Sequence, residues 1–168
     1  VARYYDVFDT PLGWMGVLVT TTGLRRATLP RASPEECFRL LGPEADEATL
    51  CPGGFASLRS GLAQYFAGAP VTFAHESIDE HDAPRFYREA WRACRTIPFG
   101  ETRSYQWLAT KAGRPRALRA AGQAMARNPL PIITPCHRVI ASDGSLRGFG
   151  QGKSLLYLKD RLLHLEAG

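Results

Sequence analysis

The chain has 168 residues, 45% of them apolar and 22% charged, the balance of an ordinary globular protein with one large domain or two small ones. No apolar run approaches the ~18 residues of a membrane span, and four cysteines without a C-x-x-C pair argue against a disulfide scaffold. Residues 1–84 carry six arginines against eleven acids, whereas residues 85–168 carry fifteen lysines and arginines against five acids. The excess of positive charge in the second half indicates either a polyanionic partner such as nucleic acid or a solvated basic face.

The first 29 residues are typical of strands. They are rich in Tyr, Val, Thr and Trp, and turn residues interrupt them at positions 11–13 and 22–23. This pattern predicts three short antiparallel strands joined by tight turns.

Helices and a connector follow this sheet. Ser33 and Pro34, followed by acids, predict a capped helix start, and "FASLRSGLAQYFAG" has apolar residues at helical spacing before a glycine. The acidic stretch "APVTFAHESIDEHDAP" reads as an extended connector. We therefore expect an N-terminal α/β domain over 1–82 and a separate C-terminal domain over 83–168.

The C-terminal part begins with three predicted helices. "RFYREAWRACRTI" places Trp91 and Cys94 on one face and arginines around the other. Ser104 can cap "YQWLATKA", and Arg114-Pro115 can restart a helix over "RALRAAGQAMAR". Two close helices with a glycine between them fit a helix-turn-helix. The small residues of the second helix allow close approach to a neighbouring helix or to the wall of a DNA groove.

The remaining residues carry the most unusual motif. "PLPIITPCHRVI" predicts an extended run, and a glycine-rich loop, "ASDGSLRGFGQG", follows it. Leu155, Leu158, Leu162 and Leu165 then predict the packed face of a final helix.

Cys136, inside that extended run, is either a buried small hydrophobe or a nucleophile. An unperturbed thiol is little ionised at neutral pH and needs a base or a positive environment. His137 is adjacent, but neighbours in an extended segment point to opposite faces, so a backbone turn or a bridging water is required. A third group should orient the imidazole. The acids of the basic half leave that choice open: Glu89, Glu101, Asp143, Asp160 and Glu166.

A metal site is the weaker alternative for the other thiols. Cys37 and Cys51 could join His75 and His81, but the spacing matches no common zinc pattern. We expect no metal and no cofactor.

Three blocks in the second half carry a family resemblance. "IPFGETRSYQWLA", "RALRAAGQAMARNP" and "PCHRV", in this order and spacing, resemble the O6-alkylguanine-DNA alkyltransferases. The resemblance covers residues 86–168 strongly and 1–80 weakly. It implies an α+β fold: a small N-terminal antiparallel sheet with helices, ribonuclease-H-like, and a C-terminal helix-turn-helix domain of the winged type.

The same resemblance implies the site and the chemistry. Cys136 accepts the alkyl group from a flipped guanine, or from an alkylated thymine, with His137 as the base acting through a water and Glu166 as the acid behind it. Arg119 fills the space left by the base, Tyr105 helps to rotate the nucleotide, and Asn128 braces the turn before the cysteine. The other residues expected to contact substrate or DNA are Ala120, Gly122, Arg138, Phe149 and Gly150.

The implied partner is double-stranded DNA containing O6-alkylguanine, bound by a monomer that can cluster along DNA. The protein would act where its DNA is, in the cytoplasm of a bacterium or archaeon or in a eukaryotic nucleus. The start of the chain lacks the basic-then-apolar order of a signal peptide. Two other functions compete: a DNA-binding regulator or lesion-recognition module whose cysteine is unused, and a cysteine hydrolase. At two positions the sequence departs from the family that it resembles. Thr134 stands where the family usually has an aliphatic residue, and Phe149 stands where tyrosine is common.

Overall fold

The computed structural model describes residues 2–80, 82–145 and 156–168. The chain forms two compact units, Val1–His81 and Asp82–Gly168. Together the units contain helices and small sheets, so the fold is of the mixed α+β class. Within the described residues, no helix has the length and apolar character needed to cross a membrane.

The first unit is built on a four-stranded sheet. Its strands are β1 (Arg3–Thr10), β2 (Gly13–Thr20), β3 (Leu24–Ala27) and β4 (Thr49–Leu50), in the order β3-β2-β1-β4. The first three pair antiparallel as predicted, with β1 and β2 in register from Arg3↔Thr20 to Thr10↔Gly13. The parallel strand β4 was not predicted. Gly23 has φ +151°, and a Cβ there would lie 2.4 Å from the Ser77 carbonyl oxygen, so the β2–β3 turn requires glycine.

Three helices accompany this sheet: α1 (Pro34–Leu40), α2 (Pro43–Asp46) and α3 (Ala56–Phe66). The predicted cap is present, because the Glu36 amide donates to Ser33 Oγ at 3.2 Å. Leu18, Leu41 and Leu62 are fully buried, so the helices supply the apolar cover that an isolated small sheet lacks.

The second unit is mainly helical. It contains α4 (Arg85–Cys94), α5 (Tyr105–Lys111), α6 (Leu118–Ala126) and α7 (Leu156–Ala167). A short parallel pair joins β5 (Arg103–Ser104) to β6 (Val139–Ile140). The predicted cap of α5 forms, since the Trp107 amide donates to Ser104 Oγ at 3.0 Å. The indole N–H of Trp91 donates to the Ala124 carbonyl at 2.8 Å, which fixes α4 against α6.

Two predicted helical features need correction. Helix α6 begins at Leu118, two residues after the predicted start at Arg116, because residues 114–117 form a turn in which the Ala117 amide donates to the Arg114 carbonyl at 2.9 Å. The buried face of α7 contains Leu158, Leu162 and the polar Glu166, whereas Leu165 is only half-buried. Leu155 lies outside the described residues.

Candidate active site

Cys136 begins a single turn of 3-10 helix (Cys136–Arg138), not an extended strand. The prediction of an extended run is therefore wrong at the motif itself. Two prolines, at 131 and 135, remove amide donors that a sheet would need. The segment bonds locally instead: the Thr134 amide donates to the Leu130 carbonyl, and the Cys136 amide to the Thr134 carbonyl, both at 2.8 Å. Ile132 adopts φ 75°, a left-handed conformation that reverses the chain before the cysteine.

Asn128 joins the end of α6 to this turn. Its Nδ2 donates to the Thr134 carbonyl at 2.8 Å, and its Oδ1 accepts from the Leu130 amide at 2.9 Å. The same side chain also hydrogen-bonds the Cys136 thiol. One side-chain amide therefore joins the end of α6 to both ends of the loop that precedes Cys136.

The Cys136 thiol is almost completely buried, with 4% of the residue exposed. Burial raises the pKa of the thiol, and the Asn128 hydrogen bond and the charge of Lys159 partly oppose that rise. The thiol is therefore protonated at neutral pH, so nucleophilic chemistry at this sulfur requires a base.

His137 and Glu166 form the centre of the site. His137 Nε2 lies 2.6 Å from Glu166 Oε2, and both side chains are at least 98% buried. The carboxylate also accepts from Arg138 Nε at 2.8 Å, Arg138 Nη2 at 3.0 Å and the Gly100 amide at 3.1 Å. Four donors thus hold Glu166 in one orientation, and Glu166 in turn orients the imidazole.

The other four acids that the sequence left open have different partners. Glu89 pairs with Arg92 and Glu101 with Arg103, and both pairs are exposed. Asp143 bonds Ser145, and Asp160 lies 3.4 Å from His164 on the outside of α7. Glu166 is therefore the acid that this fold brings to His137.

Burial lowers the pKa of His137, against the opposing effect of the hydrogen bond and charge of Glu166. Arg138 and Lys159 lower it further. The imidazole is therefore neutral near pH 7. With Nε2 directed at Glu166, Nδ1 is the nitrogen that can take a proton.

Arg138 lies in the interior, although the sequence led us to expect it among the substrate and DNA contacts. It is 8% exposed, and its third donor, Nη1, bonds the Ile97 carbonyl at 2.7 Å. Its remaining donors bond Glu166, so the guanidinium offsets the buried carboxylate.

Lys159 is a site residue that sequence reasoning missed. It is 1% exposed, its Nζ donates to the Val139 carbonyl at 2.8 Å, and the same atom lies 5.9 Å from the centre of the Tyr105 ring. Its charge stabilises the Cys136 thiolate, while burial lowers the pKa of the lysine itself. A signal was available: position 159 lies three residues before Leu162, on the apolar face of α7, where a lysine needs a buried partner.

The residues expected to contact DNA lie on α5 and α6. Tyr105 is the first residue of α5 and is half-buried. On α6, Arg119 is exposed, Ala120 and Gly122 are half-buried, and a Cβ at Gly122 would meet no atom of the described residues within 4 Å. Packing among the residues that the structure describes therefore does not require the glycine, and its surface is open to a close partner. Phe149 and Gly150 lie outside the described residues.

The four cysteines are all free thiols. Of the residues considered for zinc, His81 lies outside the described part of the chain. Among residues 2–80, 82–145 and 156–168, no three His, Cys, Asp or Glu side chains are grouped so that they could hold a metal ion.

Comparisons with known proteins identify the family of this chain. A family model described as "6-O-methylguanine DNA methyltransferase, DNA binding domain" matches residues 85–168. The methylated-DNA–protein-cysteine methyltransferase of Mycobacterium bovis is 43% identical over 163 residues, covering 97% of this chain and 92% of the relative. The protein of the same name from Bacillus subtilis, called constitutive, is 34% identical over 164 residues, covering 98% and 95%.

Solved structures give the same result. The crystal structure of the Mycobacterium tuberculosis O6-methylguanine methyltransferase matches with a TM-score of 0.80 at 35% identity, covering 98% of this chain and 93% of that one. A crystal structure of the M. tuberculosis protein in complex with DNA matches with a TM-score of 0.81 at 35% identity, covering 98% and 92%. This chain belongs to the methylated-DNA–protein-cysteine methyltransferase family.

Proposed function

We propose that the protein repairs DNA by transferring an alkyl group irreversibly from O6-alkylguanine in duplex DNA to Cys136. The observation that carries this proposal is the 2.6 Å contact between His137 Nε2 and Glu166. His137 directly follows Cys136, a buried cysteine whose thiol pKa is raised. A buried thiol of this kind is inert without a base, and the adjacent imidazole is neutral and oriented.

The transfer step balances without a cofactor. The Cys136 proton passes through a water to Nδ1 of His137, while Nε2–H remains bonded to the Glu166 carboxylate. The thiolate then attacks the alkyl carbon, so that a C–S bond forms and the C–O6 bond breaks with its electrons going to guanine. Guanine leaves more easily when it gains a proton, for which the Tyr105 hydroxyl is the proposed source. The thioether is stable, so each protein molecule reacts once.

Lys159 and Asn128 support the thiolate in this scheme. Both reduce the pKa rise that burial imposes on Cys136. Because Lys159 lies in the interior, its charge acts on the sulfur through little solvent. We propose it as a residue that stabilises the nucleophile, with no contact to DNA.

Reaching the alkylated base requires that the base leave the duplex, since the target carbon cannot be attacked inside the stack. We propose that α6 enters the minor groove with its small residues Ala120 and Gly122, and that Arg119 fills the space of the extruded base. Tyr105 would crowd the phosphate of the rotating nucleotide. Phe149 and Gly150 would line the alkyl pocket, and O4-alkylthymine is a second proposed substrate.

We also propose that α5 and α6 form a helix-turn-helix of the winged type, which the turn between them supports. For the first unit we propose a ribonuclease-H-like sheet, which its antiparallel strands support. Because its proposed substrate is DNA, we propose that the protein acts in the cytoplasm of a bacterium or archaeon, or in a eukaryotic nucleus.

The two competing functions make different use of the cysteine. A lesion-recognition module needs no base beside its thiol, whereas here four donors hold the acid that orients His137. A hydrolase releases its intermediate to water and turns over.

Stoichiometry separates these functions. Native protein is mixed with a tenfold excess of duplex DNA carrying O6-methylguanine, and repaired guanine is counted over time. A plateau at one repaired base per protein is expected. Continued turnover would indicate a hydrolase, and no repair with retained binding would indicate a recognition module.

A further inference from the structure

Helix α5 presents an aromatic ring in contact with two cations. Arg103 Cζ lies 5.7 Å and Lys111 Nζ 5.9 Å from the centre of the Trp107 ring. Trp107 and Lys111 are four residues apart on α5, and Arg103, the first residue of β5, reaches the same ring from just before the helix. These three residues are here named the α5 stripe. Trp107 is half-buried and Lys111 is exposed, so the ring holds the lysine stem in position while its charge stays in solvent.

The charges of this region are only partly balanced. Residues 102–142 contain seven lysines and arginines and no acid. Arg103 pairs with Glu101 at 2.8 Å. For Lys111, no carboxylate within the described ranges 2–80, 82–145 and 156–168 lies at ion-pair distance.

The turn after α5 continues this basic surface. Arg114 packs over the Phe86 ring at 5.9 Å. Together with Pro115, Arg116 and Ala117 it lines an open recess of about 480 Å³. Both arginines are exposed, so cations follow one another from the stripe into the turn.

We propose that the α5 stripe and this recess bind the phosphate backbone of the duplex beside the stretch that α6 enters, and so enlarge the DNA footprint. This inference rests on the proposed function. In a helix-turn-helix the first helix crosses the backbone while the second enters a groove. An unbalanced lysine held against a ring suits a phosphate, because it loses little side-chain freedom on binding and releases a counterion.

The test is the salt dependence of binding to an undamaged 16-base-pair duplex. Lys111→Gln removes the charge and keeps a polar, unbranched side chain on the helix, and the slope of log K against log salt should become shallower by about 0.9. The double variant Lys111→Gln/Arg114→Gln should lose about 1.8. Arg59→Gln is the matched control: Arg59 also lies over a ring, Phe8 at 5.5 Å, but it pairs with Asp9 at 2.7 Å. Its slope should equal that of native protein.

Two outcomes would overturn the proposal. The first is a Lys111→Gln slope equal to the native slope, in protein with an unchanged melting temperature. The second is a change of slope in Lys111→Gln that occurs only on duplexes long enough to bind two copies of the protein. In that case the stripe would contact a neighbouring protein molecule and not the phosphate backbone. Alkylation of Cys136 in native protein is measured in parallel. If native protein is alkylated but the slopes do not differ, only this inference fails, whereas the absence of alkylation removes the proposed function itself.

Discussion

Replacing Glu166 by glutamine should separate the role of the acid from simple packing. The carboxylate accepts two donors on each oxygen: Arg138 Nε and the Gly100 amide on Oε1, and His137 Nε2 and Arg138 Nη2 on Oε2. In either orientation, the glutamine NH₂ would face two donors and could accept from neither. The variant also leaves the buried guanidinium without its counter-charge.

Two magnitudes follow from this geometry. Breaking a buried ion pair from one side costs about 3–5 kcal/mol, which a domain of ordinary stability survives. If the amide donates to His137 Nε2, the imidazole is held as the Nδ1–H tautomer and cannot take the thiol proton. Loss of a general base lowers rates by about 10²–10⁴-fold, and we expect the transfer step of Glu166→Gln to fall within that range.

The assay is single-turnover transfer from O6-methylguanine duplex at saturating protein, combined with urea unfolding of each variant. Asp160→Asn removes a charge from the exposed side of the same helix and should leave the rate unchanged. The deficit of Glu166→Gln should shrink as the pH rises, because hydroxide replaces the lost base. A folded Glu166→Gln protein with a rate within threefold of native, or a deficit independent of pH, would refute the role of Glu166.

Three further predictions concern the neighbours of the sulfur and helix α6, for which we propose entry into the minor groove. Lys159→Met removes a charge that lowers the pKa of the Cys136 thiol. Each unit by which that pKa rises in the variant should slow transfer at pH 7 about tenfold, and high pH should restore the rate. Because burial lowers the pKa of His137 below its ordinary value of 6.5, the transfer rate of the native protein should show no protonation step with a midpoint at or above pH 6.5. In the unfolded chain the imidazole has its ordinary pKa and binds a proton more readily, so the free energy of unfolding should fall as the pH drops below 6.5. Arg119→Ala should slow transfer from duplex DNA about tenfold or more while leaving alkylation by free O6-alkylguanine base unchanged.

Each of these has a distinct contrary result. For Lys159→Met it is a slow rate that high pH does not restore. For His137 it is a midpoint above pH 6.5 in the rate profile. For Arg119→Ala it is an equal loss of transfer rate with duplex DNA and with the free base. An exposed side chain that acts only on DNA should not change the reaction with the free base.

Local features of the fold were predictable from the sequence because their causes are local. Ser33 and Ser104 accept amide bonds within three residues, and the first three strands follow their turn residues. The 3-10 turn at Cys136 was not predictable in this way. It depends on Asn128, eight residues earlier, and on the reversal at Ile132, whereas the apolar composition of the run favoured a strand.

The site followed from the sequence only in part. The PCHR motif and its two companion blocks pointed to Cys136 and His137, but the choice of Glu166 among five acids needed the resemblance and then the tertiary contact. Lys159 was missed because its partner, the Val139 carbonyl, is brought to it only by folding. The internal position of Arg138 follows in the same way from its bonds to Glu166 and Ile97.

The central claim is that Cys136 is a nucleophile that reacts once, and the intact mass of the protein tests it most directly. After mixing with duplex DNA carrying one O6-methylguanine, native protein should gain one methyl group, about 14 Da, located at Cys136 by peptide mapping. Cys136→Ser, which keeps a small polar side chain in the same turn, should gain nothing while still binding the duplex. A native protein that binds the lesion without a gain in mass, or that carries the methyl group on another cysteine, would contradict the account.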